Sequence, residues 1–315
     1  MADATPTGKS PPAAQDEMQR GILLALAAYG MWGFFPAYYK LTASVSADIV
    51  VAHRIVWSVF FVGLYLLLRN RGAEIWEALT APAIVFRLCA SAALIGVNWL
   101  VFVWAIGQSK VLDVSLGYFI NPLVSILIGL IVLRERLYPL QMIAVGLASV
   151  AVFLQALWTG GLPWVSLVLA FSFAGYAYVR KVTPVRPTPG LLAESTLLVP
   201  LAAGYLMLTA SWGMDSLSLN NLPVLAALAG TGIITALPLI AFSGAARRLP
   251  MVIIGIMQYI APSLHFVMAV FIWNEPLESS RLVTFLIIWT ALAIFTFDSY
   301  RRYQASRRKA ALEKA

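Results

Sequence analysis

Two charged residues, Arg54 and Glu194, interrupt long apolar stretches of the sequence. A charge at the centre of a membrane-spanning helix costs about 2.5–3.5 kcal/mol on insertion scales, so such residues usually serve a purpose. A guanidinium can bind a substrate carboxylate, and a carboxylate can bind an ammonium group. We therefore expect both side chains to face a central cavity and to contribute to gating or to the binding of a zwitterion. A structural ion pair or a hydrogen bond between helices is the alternative for either residue.

Polar and aromatic side chains within other apolar stretches form a second group of candidate binding residues. They are Asn98, Phe102, Tyr118, Asn121, Gln258, Tyr259 and His265. Pro122 and Pro262 lie beside them, and each proline removes a backbone donor and can kink its helix. Kinked helices next to aromatic side chains are a common way for helical bundles to build amphipathic pockets. Hydrogen bonding between packed helices would explain the same polar residues without a ligand.

The titratable residues leave proton coupling open, and we expect no cofactor. His53 and His265 titrate near neutral pH and could work with Glu194, although a histidine that only packs between helices explains them as well. The single cysteine, Cys89, cannot form an intramolecular disulfide, and the sequence offers no cysteine cluster for zinc. The sequence also lacks the glycine-rich phosphate-binding motif of ATPases. We therefore expect a protein that is not an enzyme.

Long apolar runs must form the elements that position these side chains. Hydrophobic residues make up 61% of the 315 residues, charged residues make up 11%, and the mean hydropathy is +0.83. Such runs in lipid must be helices, because an unsatisfied backbone group there costs several kcal/mol. We predict an all-α membrane protein with ten spans, at residues 21–41, 47–68, 86–107, 114–133, 139–157, 163–180, 189–210, 223–244, 250–273 and 281–299.

The basic residues predict the orientation of these spans. The chain has 22 Lys and Arg residues. If the spans alternate in direction, 18 of these residues lie on the same side of the membrane as both termini, three lie on the other side, and Arg54 lies within a span. The positive-inside rule then predicts that both termini are cytoplasmic. We expect residues 1–20 to be a disordered cytoplasmic segment and residues 300–315 to be a basic cytoplasmic tail. The net charge of +8 is explained by topology, so we expect no nucleic-acid partner.

The two halves of the sequence are related by a shift of 140 residues. Pro122 and Glu135 fall on Pro262 and Glu275, and the two members of each pair are thirteen positions apart. Each half contains five predicted spans, so the second copy enters the membrane from the opposite side. Inverted repeats of this kind are typical of carriers that work by alternating access around a midplane site. For Glu135 and Glu275, local ion pairs and packing at the repeat ends are the simpler explanation.

Several segments together resemble the RarD family, which belongs to the EamA-type branch of the drug/metabolite transporter superfamily. They include LALAAYGMWGFFPAYYK at 24–40, AHRIVWS at 52–58, LIGVNWLVFVWA at 94–105, SLGYFINPLVSILIG at 115–129 and QYIAPSL at 258–264. The resemblance covers nearly all of residues 21–300. It implies an inner-membrane carrier of two inverted five-helix EamA repeats, at residues 21–157 and 161–299, around a central cavity. The superfamily exports amino acids, other metabolites and toxic compounds.

The expected function is the export of small amphipathic metabolites, with apolar or aromatic amino acids as the leading class. An exporter of drugs or toxic compounds is the close alternative, because the motifs do not fix the substrate. A membrane-embedded enzyme or a channel would need a catalytic cluster or a continuous polar stripe, and the sequence shows neither. We expect a monomer in the bacterial inner membrane, with the lipid bilayer and a small-molecule substrate as its partners.

Overall fold

The protein is described by a computed structural model that covers residues 11–108, 110–158, 160, 164–214, 220–272, 274 and 279–312. Within these ranges the chain forms α-helices joined by short turns and contains no strand. The helices are α1 (Pro11–Gly33), α2 (Phe35–Tyr39), α3 (Ala47–Leu68), α4 (Gly72–Thr80), α5 (Pro82–Gly107), α6 (Val111–Ile131), α7 (Pro139–Trp158), α8 (Trp164–Val182), α9 (Pro187–Ser211), α10 (Leu222–Ala246), α11 (Met251–Met257), α12 (Ile260–Phe271) and α13 (Ser279–Leu312).

Nine helical segments in the described ranges are long and apolar enough to cross a membrane, and each coincides with a predicted span. The remaining prediction, residues 114–133, corresponds to α6, whose apolar segment Leu116–Ile131 is shorter than the other nine. The protein is therefore an all-helical, multi-pass membrane protein. A tenth span stays a prediction.

Two helical segments differ from the sequence prediction. Residues 11–20 form the first turns of α1, so the segment predicted to be disordered is helical in its second half, and residues 1–10 lie outside the described ranges. Pro11 suits the first position of a helix, where no N–H is needed, and Ala, Gln and Glu favour the turns that follow. The second segment is α4, a short amphipathic helix that was not predicted. Its Trp76 is 71% exposed, which is typical of a helix lying at a membrane interface.

The predicted span 250–273 is divided into α11 and α12. The backbone of Gln258 and Tyr259 keeps helical dihedral angles, but the regular hydrogen-bonded helix is interrupted there. Pro262 provides the reason, because it has no N–H to donate to the Gln258 carbonyl one turn earlier. By contrast, α6 runs through Pro122 without interruption. Of the two predicted kink sites, only the one at Pro262 coincides with a break.

Small residues allow the helices to approach closely. A Cβ atom at Gly232 of α10 would lie 2.5 Å from the backbone carbonyl carbon of Trp57 in α3. A Cβ at Gly255 of α11 would lie 2.6 Å from the carbonyl oxygen of Pro122 in α6. Such close backbone packing is the main source of helix association in lipid, where the hydrophobic effect no longer distinguishes one helix face from another.

The connections between α3 and α5, α6 and α7, α8 and α9, and α10 and α11 meet at one end of the bundle. We call this end the α4 end. Contacts between the connections define it: Arg186, before α9, pairs with Glu74 of α4, and Arg247, after α10, donates to the carbonyl of Val185. These connections carry most of the basic residues between the predicted spans, so the α4 end is the side predicted to be cytoplasmic.

Candidate substrate-binding site

Arg54 lies on α3 toward the end of the bundle opposite the α4 end. It comes seven residues after Ala47, the first residue of the helix, and is therefore about 10 Å along the helix axis. The guanidinium carbon lies 4.4 Å from the centroid of the Trp99 ring of α5, which is a cation–π contact. The Nε atom is buried and has no hydrogen-bond partner. No ion pair joins Arg54 to a carboxylate within the described ranges.

Aromatic rings extend the surface beside Arg54. Phe102 of α5 and Tyr118 of α6 lie with their ring centroids 6.3 Å apart. Tyr118 interacts electrostatically with Arg54 and with Tyr39, so all these groups belong to one region. Nevertheless, 44% of Tyr118 is exposed, so its side chain is not enclosed by the surrounding helices. The structure therefore brings three of the predicted site residues together: Arg54, Phe102 and Tyr118.

Two buried amide groups lie on α6 and at the break between α11 and α12. Asn121, one turn after Tyr118, is buried, and its Oδ1 atom has no hydrogen-bond partner. Gln258 donates to the Ser125 hydroxyl at 2.9 Å, but its Oε1 atom is also unpartnered. The neighbouring Tyr259 donates to the carbonyl of Phe119 at 3.1 Å and so joins the same two helices. Unpartnered buried acceptors cost stability unless water or a ligand satisfies them.

Asn98 and His265 make hydrogen bonds between helices. The Asn98 amide donates to the carbonyl of Leu169 and to the hydroxyl of Ser172, both at 3.0 Å. The Nε2 atom of His265 lies 3.0 Å from the carbonyl oxygen of Trp32, to which a protonated Nε2 donates. The alternative explanation from sequence, hydrogen bonding between packed helices, therefore fits both side chains.

Glu194 occupies a separate environment near the α4 end. Its side chain is 2% exposed and pairs with Arg180 of α8, with 3.3 Å between the nitrogen and oxygen atoms. Ser91 of α5 donates to the same carboxylate oxygen. Arg180 is fully buried and also donates to the Ser243 hydroxyl of α10 at 3.1 Å. Glu194 thus forms the structural ion pair that sequence left as an alternative, and its partner is Arg180 rather than Arg54.

Arg180 is the residue of this cluster that sequence reasoning missed. The sequence prediction counts it among the basic residues at the cytoplasmic ends of the spans, but its side chain lies inside the bundle. The sequence does contain a signal for this pairing, because a buried carboxylate requires a cation. Arg180 lies fourteen residues before Glu194, in the last turn of the preceding helix. Tyr176, one turn earlier on α8, is buried beside the pair.

Five aromatic rings fill the bundle from this ion pair toward its middle. They come from α1, α8 and α10, and their contacting ring centroids are 5.4 to 6.1 Å apart. The five residues are Tyr29, Trp32, Phe173, Tyr176 and Phe242. Tilted and edge-to-face contacts dominate, as expected for packed aromatic side chains.

Basic residues and a carboxylate also join the connections at the α4 end. Lys181 donates to two backbone carbonyls near the end of α10. On α4, the hydrogen bond from Arg71, reinforced by the charge of Arg186, holds the pKa of Glu74 below its ordinary value. These contacts show that several of the basic residues used to predict topology also hold the connections together.

Glu135, after α6, caps the beginning of α11. Its two carboxylate oxygens accept hydrogen bonds from the backbone N–H groups of Met251 and Val252, at 2.8 and 2.9 Å. A carboxylate at this position satisfies donors that the helix leaves free and interacts favourably with the helix dipole. The contact agrees with packing at a repeat end. The corresponding Glu275 lies outside the described residues.

Comparison with known proteins gives a consistent result. The EamA-like transporter family matches residues 19–157. The chain is 45% identical over 289 residues to Protein RarD of Salmonella typhi, covering 90% of this chain and 96% of that protein. It is 35% identical over 296 residues to the chloramphenicol-sensitive protein RarD of Pseudomonas aeruginosa, covering 91% and 98%. A protein crystal structure that is 16% identical superimposes with a TM-score of 0.66 over 88% of this chain and 97% of that one, which is a likeness of fold.

Proposed function

Because the chain belongs to the RarD family of EamA-like transporters, we propose that it is a secondary carrier that exports small amphipathic metabolites by alternating access. Apolar and aromatic amino acids are the leading substrates. The two halves act as inverted five-helix repeats, and the protein resides in the bacterial inner membrane with both termini and the α4 end in the cytoplasm. The excess of Lys and Arg on the side of the termini supports this orientation.

The observation that carries the proposal is the correspondence of helix starts between the halves. Four helices of the first half begin 140 residues before four helices of the second half: Ala47 and Pro187, Pro82 and Leu222, Val111 and Met251, Pro139 and Ser279. On this correspondence α6 matches α11 with α12, and these two elements pack against each other. The hydrogen bond from Tyr259 to Phe119 joins positions that are themselves 140 residues apart.

Other helix contacts also occur as matched pairs. The contact of α5 with α8 corresponds to that of α1 with α10, and the contact of α6 with α8 corresponds to that of α1 with α12. The pairs α3 with α9 and α7 with α13 correspond to themselves. Paired contacts of this kind support an axis of pseudo-twofold symmetry through the bundle. Two halves related in this way can rock around a shared site, which is how inverted-repeat carriers expose a substrate to each side in turn.

The side chains of the candidate site support an amphipathic substrate. Phe102 and Tyr118 offer aromatic surface for an apolar body, and Arg54 offers a cation. The unpartnered oxygens of Asn121 and Gln258 are acceptors of the kind that an ammonium group requires. One cation among aromatic rings suits a zwitterionic amino acid better than a multiply charged anion, which would need several convergent cations.

Counterflow in proteoliposomes tests this function. Purified protein is reconstituted, loaded with one unlabelled amino acid at a time and offered trace labelled amino acid, with and without a pH gradient. We expect accumulation of label for apolar and aromatic amino acids, and none in liposomes without protein. Absence of flux for every amino acid would contradict the proposed substrate class.

A drug or toxic compound is the second candidate substrate. The name of the Pseudomonas aeruginosa relative, chloramphenicol-sensitive protein RarD, supports including chloramphenicol in the same assay. Chloramphenicol has no carboxylate, so it would leave the charge of Arg54 uncompensated. Counterflow with chloramphenicol and none with amino acids would favour this second candidate.

A further inference from the structure

Within the described ranges, no carboxylate pairs with Arg54. Several other arginines of the described ranges pair with carboxylates, among them Arg180 with Glu194, Arg248 with Glu17 and Arg302 with Asp298. Arg54 instead lies over an aromatic ring, and its Nε atom is buried without an acceptor. An unpaired charge inside a membrane protein is costly, and such residues usually face a cavity or a substrate pathway.

The contacts of Arg54 leave the guanidinium able to bind a ligand. One face of the planar guanidinium stacks on the Trp99 ring. The N–H donors lie in the plane of the guanidinium and point away from its centre, so the stacking does not occupy them. The side chain of Tyr118, which is 44% exposed, interacts electrostatically with the guanidinium, and Phe102 continues the aromatic surface. A ligand bound beside Arg54 would therefore meet a planar donor group and aromatic side chains within one region.

The chemistry of the guanidinium identifies the ligand group. Its paired N–H donors match the two oxygens of a carboxylate, with which arginine forms short, charge-assisted hydrogen bonds. One carboxylate neutralises the single positive charge, whereas a phosphate carries more charge than one arginine compensates. A neutral ligand would desolvate the guanidinium without replacing the lost interaction with water.

We propose that Arg54 binds the carboxylate of the transported molecule, and that the cargo is a carboxylate-bearing compound with an aromatic or apolar body. This assignment rests on the proposed transport function and narrows its substrate class. Arg54 is then the residue that selects carboxylates against neutral compounds of the same shape. The ring of Trp99 holds the guanidinium in place, and Phe102 and Tyr118 contact the body of the cargo.

Binding of L-phenylalanine and L-phenylalaninamide to the purified full-length protein tests the assignment. The two probes differ at the carboxyl group, which is a carboxylate in one and a neutral amide in the other. Affinity is measured by ligand-dependent thermal unfolding in detergent, and flux of the same probes is measured by counterflow. We expect wild-type protein to bind L-phenylalanine at least about tenfold more tightly than the amide, because hydrogen bonds to charged groups contribute about 1.5–3 kcal/mol.

Substitutions of Arg54 separate its charge from its geometry. We expect Arg54→Gln to reduce the affinity for L-phenylalanine by about tenfold or more and to leave the affinity for L-phenylalaninamide nearly unchanged. Arg54→Lys keeps the charge and loses the planar donor pair, so an intermediate affinity is expected. Lys110→Gln is the matched control, because Lys110 also lies over a tryptophan, with its Nζ 5.5 Å from the Trp104 ring centroid. It should bind both probes as the wild type does.

The outcomes distinguish this assignment from the transport function. Equal affinity of wild-type protein for both probes, or no binding of either, would overturn the role of Arg54. L-phenylalanine flux that persists unchanged in Arg54→Gln would also overturn it and would leave the transport function standing. Carboxylate-dependent binding without flux of any amino acid would support Arg54 and contradict the transport function. If Arg54→Gln fails to fold, the probe comparison in wild-type protein and in Arg54→Lys decides the question.

Discussion

The buried pair of Arg180 and Glu194 gives a quantitative prediction about stability. Both side chains are almost fully excluded from solvent, and their closest nitrogen and oxygen atoms are 3.3 Å apart. Removing one partner of a buried pair leaves an uncompensated charge and costs about 3–5 kcal/mol, whereas replacing both partners is often nearly neutral. We therefore expect Glu194→Gln and Arg180→Met each to lower the free energy of unfolding by about 3 kcal/mol or more.

Arg180→Met should be the more destabilising of the two single substitutions. It also removes the donors to the Ser243 hydroxyl, at 3.1 Å, and to the Pro187 carbonyl, at 3.2 Å. A buried acceptor that loses its donor costs about 1–3 kcal/mol. Glu194→Gln keeps the shape of the side chain and one acceptor for the Ser91 hydroxyl, so most of its effect comes from the charge of Arg180.

Unfolding in mixed micelles, with increasing SDS followed by tryptophan fluorescence, measures these free energies for the wild type, both single variants and the double variant. We expect the double variant to lose at least about 2 kcal/mol less than the sum of the single losses, because no unpaired charge remains. The partly exposed pair of Glu17 and Arg248, with 2.9 Å between its nitrogen and oxygen atoms, is the control. Its disruption should cost less than about 1 kcal/mol. If the two single effects at Arg180 and Glu194 add to within about 0.5 kcal/mol, the coupling inferred from the structure is wrong.

Two further predictions concern the packing and capping of helices. Gly232→Ala should destabilise the protein by about 1–3 kcal/mol, because the new Cβ would meet the backbone of Trp57. The control is Gly204→Ala, whose new Cβ meets nothing within 4 Å and which should be neutral or slightly stabilising in the same micelle titration. Equal effects of the two substitutions would refute the packing argument. Glu135→Gln should lower stability by about 1–2 kcal/mol, because one of two charge-assisted bonds to the first turn of α11 is lost. Faster hydrogen exchange of the α11 amides would accompany the loss, and unchanged exchange rates would show that the cap is dispensable.

The apolar spans could be predicted from sequence because lipid allows the backbone few alternatives. The run at 47–68 is a helix from Ala47 to Leu68, and the run at 139–157 is a helix from Pro139 to Trp158. In each case charges, proline or glycine bound a segment whose backbone can be satisfied in lipid only by its own hydrogen bonds. The short amphipathic helix α4 escaped prediction because its nine residues mix apolar and charged side chains and are too few to span the membrane.

The partners of the charged residues could not be predicted in the same way. Residue type and position mark Arg54 and Glu194 as unusual, but ion pairs depend on which helices become neighbours. Arg180 lies at the end of an apolar run, where a basic residue usually marks a loop. Its burial follows from the close approach of Gly190 on α9, because a Cβ at that position would collide with the guanidinium. Such a contact is visible only once α8 and α9 are packed.

The repeat relation bears on the different pairing of Arg54 and Glu194 within the described ranges. Arg54 and Glu194 are 140 residues apart and so hold equivalent positions with opposite charges. In the second half, Arg180 neutralises Glu194. The position equivalent to Arg180 in the first half is Lys40, a residue of the same sign as Arg54, which cannot neutralise it. To form an ion pair like that of Arg180 and Glu194, the first half would need an acidic residue at the position of Lys40. The carboxylate that this half lacks is the group we assign to the cargo.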